Sequence, residues 1–472
     1  MAHKIVVIGA GPGGYVAAVR AAQLGAEVSV IERENAGGTC LNCGCIPSKV
    51  MVTAAELLEK CRRAREFGLK FDGEIQPDMA QLMVRKARVI QDQAKGILDL
   101  FDRNKVAYVR GEAAIAGPGI ASVRQVDGTS RQIPWDSLIL APGTRPADFP
   151  AFPFDGEAIL SSNDILSLRE VPASVMILGG GVIGCEFACI LAALGSKVTL
   201  VEALDRLLPL PSVDEDCSKV LQREMKKRKI RFLLSRTVQS VERAEGKLRV
   251  TLGPSPFSQD AKDQVLSTEE IEKLVVCIGR KPNTEGLGLE TLGIAVDSRG
   301  WIGADDRMET NVPQVFAIGD VLGPARIMLA HMASAEGLVA VENAMGGSRV
   351  MNYDAVPGAI FTSPEVANAG LTEAQAKDRG HAVRCETVLF RTLGKAQVIG
   401  EIAGEAKIVS DAESGKVLGV HIIGPHATDL IAEGTLAIKM GATVRDLAET
   451  IHAHPTLPEV MLEASLRFVH GA

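Results

Sequence analysis

"KIVVIGAGPGGYVAAVRAAQLGAEVSVIE", Lys4 to Glu32, decides the fold. An apolar, strand-forming run leads into Gly9, Gly11 and Gly14, spaced as GxGxxG. A helical pattern of small residues follows and ends in Leu24-Gly25. A second apolar run then closes on Glu32. The first glycine permits a tight turn, the second lets backbone approach a pyrophosphate, and the third lets helix pack on strand. The pyrophosphate rests on N–H groups at the positive end of the helix dipole. Glu32 follows Gly9 by 23 residues, near the spacing of ~20 expected for a carboxylate that binds ribose hydroxyls.

The same unit occurs twice. "SVMILGGGVIGCEFACILAALGSKVTLVE", Ser174 to Glu202, repeats the strand, the glycines (Gly179, Gly181, Gly184), the helix and the closing acid. Gly9 to Gly179 and Glu32 to Glu202 are both offsets of 170 residues. This is one βαβ unit built twice, giving two nucleotide-binding domains rather than a short solenoid repeat. A carboxylate at Glu202 accepts hydrogen bonds from two ribose hydroxyls and repels a 2′-phosphate, which favours NAD over NADP. No arginine stands closer after it than Arg206. Two sites imply two dinucleotides. Flavin plus nicotinamide is one division, with a hydride passed between the rings.

At 472 residues, one domain per ~150 residues suggests about three. With 46% hydrophobic and 23% charged residues the composition is globular. The net charge of −7, without a basic, aromatic-interleaved tract, argues against nucleic acid as a partner. No signal-type segment or 18-residue apolar span appears. The apolar run around Gly179 carries three glycines and Glu186, and reads as strand, turn and helix. The expectation is a soluble, cytoplasmic protein with no membrane partner. Leu57 to Leu100 reads as helical, Gly111 to Ile139 as short strands, and "PADFPAFPFDGE" as a crossover. "IEKLVVCIGRKPNT" and "ETNVPQVFAIGDV" read as two buried strands ending in glycine. Beyond Val350 an α+β unit follows, with the strand "KVLGVHIIG" and the long helix "ATDLIAEGTLAIKMG".

Nine cysteines without an export signal argue against a structural disulfide framework. Cys61, Cys185, Cys189, Cys217, Cys277 and Cys385 are scattered and read as small apolar residues. "GGTCLNCGCIPSK", Gly37 to Lys49, is different, with Cys40, Cys43 and Cys45 in six positions. A metal site, a redox disulfide and an inert apolar cluster compete. Zinc wants a second ligand pair of matching spacing, and the chain offers none. A redox pair is the reading the residues favour. On an ideal helix Cys40 and Cys45 lie roughly 140° apart at ~100° per residue. A bridge between them needs a distorted turn, for which Gly44 gives freedom. A strained disulfide is also easier to reduce.

This stretch, behind an N-terminal GxGxxG, resembles the flavin-dependent pyridine nucleotide–disulfide oxidoreductases. Its "LN" and "IPSK" are most similar to the members that oxidise dihydrolipoamide. The resemblance spans nearly the whole chain through "TNVPQVFAIGD" (Thr310 to Asp320), "MLAHMASAEG" (Met328 to Gly337) and "HAHPTLPE" (His452 to Glu459). It implies an α/β fold of two Rossmann-like domains, for FAD and NAD, plus a C-terminal α+β dimerisation domain. The implied divisions are an FAD domain at 1–150, an NAD domain at 151–272, a central segment at 273–348 completing the FAD region, and an interface domain at 349–472. Cys45 becomes the sulfur nearest the flavin and Cys40 the sulfur that exchanges with substrate. Lys49 sits near flavin N5 and pairs with Glu186. Asp320 binds the ribityl chain or ribose, and Met328, Leu329, Ala330 and His331 lie under the ring. Arg33, Gly38, Thr39, Ala113 and Gly143 join the flavin contacts. Gly279 and Arg280 mark the junction of the cofactor domains. His454 and Glu459 form a base dyad that completes the partner's site in a homodimer, whereas His452 reads as a lone surface histidine. The electron donor is then a lipoyl-bearing protein of a 2-oxo acid dehydrogenase or glycine-cleavage complex.

The chain departs from that pattern at four places. Cys43 replaces a usual Val and reads as a small apolar substitute facing away from Cys45. Pro142 replaces a Thr, Ala113 a Gly, and Pro458 a Ser; no reacting group is lost. The competing reading is a sibling disulfide reductase using NAD(P)H. Glu202 argues against NADPH, the C-terminal "RFVHGA" lacks the cysteine pair of a mercuric-type reductase, and the Cys pair argues against a transhydrogenase. A purely structural flavoprotein predicts a degraded disulfide or dyad, and both are intact.

Overall fold

The computed structural model describes residues 2–70, 72–244, 246–258 and 265–470. The opening motif folds as β1 (Lys4–Ile8), α1 (Pro12–Gln23) and β2 (Glu27–Glu32). Ile5, Val6, Val7 and Ile8 are all buried, as expected of a parallel strand covered on both faces. Two units form.

The first unit gathers residues 1–51, 78–147 and 279–352. Its seven-stranded sheet runs in the order Val315–Ala317, Ser137–Leu140, β1, β2, Ala107–Gly117, Ile120–Gln125, Ser130–Pro134. The first five strands are parallel, and the last two continue as an antiparallel meander. α2 (Gly38–Cys43) follows β2, and α3 (Cys45–Arg62) begins two residues later. The helical stretch expected from Leu57 to Leu100 is interrupted. α3 ends at Arg62, and α4 (Met79–Arg103) starts afresh with Asp78 capping the Gln81 N–H at 2.9 Å. Gly68, at φ +77°, and Gly73, at φ +88°, fall in the gap; no L-residue helix continues through that conformation.

The second unit gathers residues 52–77, 148–278 and 353–472. Its parallel sheet runs Arg231–Leu233, Lys197–Val201, Ser174–Leu178, Lys273–Val276, Ile159–Ser161. Lys273–Val276 pairs in register with Val175–Leu178. The boundary expected at 272/273 is therefore corrected: a strand lacking its own glycine turn belongs to the second nucleotide sheet, and pairing rather than composition places it there. The C-terminal part is a five-stranded antiparallel sheet. Helix Ala427–Met440 packs on strands Glu365–Gly370 and Val417–Gly424. Helix Glu459–His470 packs on Val383–Leu389 and Glu405–Asp411. No described helix is long and apolar enough to cross a membrane.

Candidate active site

The two glycine turns are built bond for bond alike. Gly9 N–H donates to Ile31 O and Gly179 N–H to Val201 O, both at 2.8 Å. Gly9 has φ +102° and Gly179 φ +109°, where a side chain is strained. A Cβ on Gly14 would fall 1.9 Å from Gly9 O, and one on Gly184 1.8 Å from Gly179 O. The third glycine is thus obligatory in both copies. Around a Cβ on Gly11 the nearest atom is Gly38 Cα at 4.0 Å, and around Gly181 nothing lies within 4 Å. Each turn therefore presents open backbone at the start of a helix. Such backbone fits a pyrophosphate.

The acids close the turns in the same way. Glu32 accepts from Ala10 N–H at 2.7 Å and Glu34 N–H at 2.8 Å. Glu202 accepts from Gly180 N–H at 2.5 Å and Leu204 N–H at 2.8 Å. Two N–H groups fix each carboxylate's direction, and the remaining lone pairs are available to a ribose.

Gly44 breaks what would otherwise be one helix. It has φ −147° and ψ −112°, so α2 stops at Cys43 and α3 restarts at Cys45. A Cβ there would fall 2.9 Å from Thr39 O. The break replaces the 140° separation of an ideal helix with direct contact. The Cys40 and Cys45 side chains are hydrogen-bonded thiols. That bond, then burial, holds Cys40 far above the usual thiol range, while the Lys49 charge works in the opposite direction. Lys49 lies one turn beyond Cys45 on α3. Cys43 lies among Thr39, Glu34 and Arg280; burial, then Glu34, raises its pKa, and its sulfur bonds Thr39. The thiol is half-buried and has one hydrogen-bond partner, Thr39.

A half-buried network joins three segments of the first unit. Arg280 donates Nε–H to Thr144 Oγ1 at 2.6 Å and Nη2–H to Thr144 O at 3.0 Å. Thr144 donates to Asp320 Oδ2 at 3.2 Å. Burial raises the Asp320 pKa, with Arg280 and Thr144 opposing it. A half-buried carboxylate that accepts from Thr144 suits a polyol such as the ribityl chain. Thr144 also supplies a hydroxyl two residues beyond Pro142, whose carbonyl accepts from Asn283 Nδ2–H at 2.9 Å. Ala113 pairs with Val123 in the antiparallel ladder. Gly143 and Gly279 both have positive φ. Leu329 precedes helix Ala330–Ala344, and His331 in its first turn is exposed. Arg33 is ion-paired with Glu34 at 3.4 Å.

Sequence reading missed Glu336. It is 1% exposed and accepts from Gly319 N–H at 2.7 Å, immediately before Asp320. Its signal was present: an acid set among small residues in "ASAEG", ahead of the apolar run "LVAV".

In the second unit, Glu186 is buried on helix Val182–Leu194 and accepts from Phe361 N–H at 2.9 Å. His454 Nδ1 lies 2.8 Å from Glu459 Oε1, and Glu459 Oε2 accepts from Thr456 N–H at 2.8 Å. The bond to His454, then that from Thr456, lowers the Glu459 pKa. Nδ1–H facing a carboxylate leaves Nε2 as the basic nitrogen. The His454 side chain is 77% exposed and its base is open to solvent. His452 is not the lone surface histidine expected. Its side chain is 5% exposed, clamped between Glu433 Oε1 and Thr450 O at 2.9 Å each. Among the described residues no three His, Cys, Asp or Glu side chains come together as metal ligands.

Comparison with known proteins places this geometry. Residues 3–337 match the pyridine nucleotide-disulphide oxidoreductase family, and residues 356–465 match the dimerisation domain of the same family. The chain belongs to the pyridine nucleotide-disulphide oxidoreductases: it is an FAD- and NAD(H)-dependent flavoprotein oxidoreductase with a C-terminal dimerisation domain. It is 41% identical over 467 residues to the dihydrolipoyl dehydrogenase of Chlamydia muridarum, covering 98% of this chain and 96% of that one. It is 40% identical to the Thermus scotoductus dihydrolipoyl dehydrogenase, with 98% and 96% covered. Among solved structures, LpdA from Mycobacterium tuberculosis superimposes with a TM-score of 0.89 at 28% identity, over 98% of this chain and 99% of that one. The HOCl-induced flavoprotein disulfide reductase RclA of Escherichia coli gives 0.84 at 25% identity, with both chains fully covered.

Proposed function

We propose that the protein is a dihydrolipoyl dehydrogenase: it oxidises protein-bound dihydrolipoamide to lipoamide and reduces NAD+ to NADH. The observation that carries this reading is the helix break at Gly44, which puts Cys40 and Cys45 in contact. The turn of Gly9, Gly11 and Gly14 would hold FAD and that of Gly179, Gly181 and Gly184 NAD+, and the two would supply two-electron transfer from the dithiol to the nicotinamide.

The chain's own groups handle the sulfur chemistry. The disulfide state joins Cys40 to Cys45. His454 of the partner subunit, through Nε2, takes a proton from one substrate thiol. That thiolate attacks Cys40 Sγ, the Cys40–Cys45 bond breaks, and Cys45 leaves as a thiolate. The second substrate thiol, deprotonated in turn, attacks the substrate sulfur of the mixed disulfide. Cys40 leaves, takes up a proton, and the lipoyl disulfide closes. Two electrons now reside on Cys40 and Cys45, with Cys45 assigned to the flavin side. Glu459 orients the imidazole. Gly9, Gly11, Gly14, Glu32, Gly38, Thr39, Asp320 and the 328–331 segment bind FAD, and Gly179, Gly181, Gly184 and Glu202 bind NAD. Lys49 and Glu186 serve the flavin and nicotinamide sides respectively.

This reading makes the protein a cytoplasmic homodimer whose electron donor is a lipoyl-bearing protein of a 2-oxo acid dehydrogenase or glycine-cleavage complex. The deciding experiment is a steady-state assay of purified, flavin-loaded protein. Dihydrolipoamide with NAD+ should support rapid turnover, and glutathione disulfide with NADPH should not; the reverse preference ends this reading.

A further inference from the structure

The segment between Glu202 and helix Glu215–Lys227 has no regular secondary structure over most of its length, yet Leu207 and Leu208 within it are fully buried. Leu208 sits at φ +50°. A bulky side chain is rare in this left-handed region and stays there only when its surroundings over-determine it. Its N–H donates to Gly180 O at 2.8 Å. Leu207 packs on the same residue: a Cβ on Gly180 would fall 2.9 Å from Leu207 Cδ2. Gly180 is therefore gripped at both ends, its N–H by Glu202 and its carbonyl by Leu208.

The first nucleotide turn makes the equivalent bond differently. Gly37 N–H donates to Ala10 O at 2.8 Å, and Gly37 is at φ +94°. A glycine adopts that conformation freely. In the second copy a leucine occupies it, and two cations tie down the segment that follows. Arg206 donates to Leu210 O at 3.0 Å, Val213 O at 3.1 Å and Ser218 Oγ at 2.9 Å, closing the segment on itself and on the next helix. Lys407, 8% exposed on a C-terminal strand, bonds Asp214 at 3.3 Å, Asp216 at 3.0 Å and Glu373 at 2.8 Å. Asp214 is the N-cap of helix Glu215–Lys227. Lys407 therefore fixes the far end of the segment. Burial works against its charge, but its bonds to Glu373 and Asp216 outweigh burial and keep it protonated.

We propose that Arg206 and Lys407 are positioning residues for the nicotinamide nucleotide: they hold Leu208 in its left-handed conformation, so that Gly180 and Glu202 are set before NAD+ arrives. The inference rests on the reading of the second turn as the NAD site. Arg206 acts through the backbone and is not itself offered to a phosphate, because its guanidinium is committed to Leu210, Val213 and Ser218.

The test is equilibrium titration of flavin-loaded protein with NAD+, alongside anaerobic reduction of the flavin by dihydrolipoamide without NAD+. If Arg206→Gln lowers the closed population to about a tenth, the apparent Kd for NAD+ rises about tenfold. Lys407→Gln should shift it in the same direction by less, and provides a second reading should Arg206→Gln fold poorly. Adding Leu208→Gly to Arg206→Gln should recover most of the affinity, because glycine needs no anchor. The flavin-reduction rate should stay at the parent value throughout. A Kd within twofold of the parent in both single variants overturns the inference, as does a parallel loss of flavin reduction. A parent that binds no NAD+ overturns the assignment of the second turn as well.

Discussion

The two glycine turns share the backbone bond at the first glycine and both bonds to the closing acid but diverge beyond that acid. After Glu32 the chain passes through Gly37 and Gly38 into the short sulfur-bearing helix α2. After Glu202 it passes into an irregular segment tied down by Arg206 and Lys407. The nucleotide-binding frame is thus common property, and the chemistry of each copy is set by the short run of residues behind its second strand. The first copy uses flexible glycines to place two thiols; the second commits charged groups to rigidity.

Making one substitution in both copies gives the largest expected effects. Gly14→Ala drives a methyl into Gly9 O and should yield flavin-free protein without turnover, read from the visible absorbance. Gly184→Ala drives one into Gly179 O and should keep the flavin and its reduction by dithiol while NADH formation disappears. Identical phenotypes would mean that the copies do not hold separate nucleotides. Cys45→Ser should remove the long-wavelength charge-transfer band of the two-electron-reduced protein and bring turnover to background; a persisting band reassigns the flavin-side sulfur.

His454→Gln should slow dithiol oxidation by ~10²-fold or more, the range for a lost general base, with NAD+ affinity unchanged. The pH dependence of the dyad has a definite sign. The folded Glu459 pKa is depressed, so its stabilising bond to His454 is fully present above the ordinary carboxylate pKa. It is lost only as the pH falls through the lower folded value. An acid titration of folded protein in which Glu459 protonates at or above the ordinary carboxylate pKa contradicts this. The smallest effect is expected from Cys43→Val. Its thiol is kept protonated by burial and Glu34, so turnover should stay within about twofold, in the range of substitutions that touch no reacting group. A large loss would make Cys43 a participant.

The frame was legible because the glycine spacing and acid recur at one offset, and each needs only local sequence to be understood. The sulfur pair was legible for the same reason: Gly44 lies between its partners. The features that escaped reading depend on distant segments. Lys273–Val276 carries no turn motif and is claimed by a strand a hundred residues earlier. His452, in an irregular segment, is defined by Glu433 on helix Ala427–Met440. Lys407 meets carboxylates from residues 214, 216 and 373, and nothing near it in sequence announces them. Leu208 looks like any core leucine until its backbone angle is seen. Glu336 is an intermediate case: an acid among the small residues of "ASAEG" was visible, but its acceptor role toward Gly319 was not.

The interruption at Gly44 also divides mechanical labour between the sulfurs. Cys45 begins an eighteen-residue helix, whereas Cys40 rides on one of six. The two thiols therefore meet from separate helices, and neither has to unwind a continuous helix for the bridge to open or close.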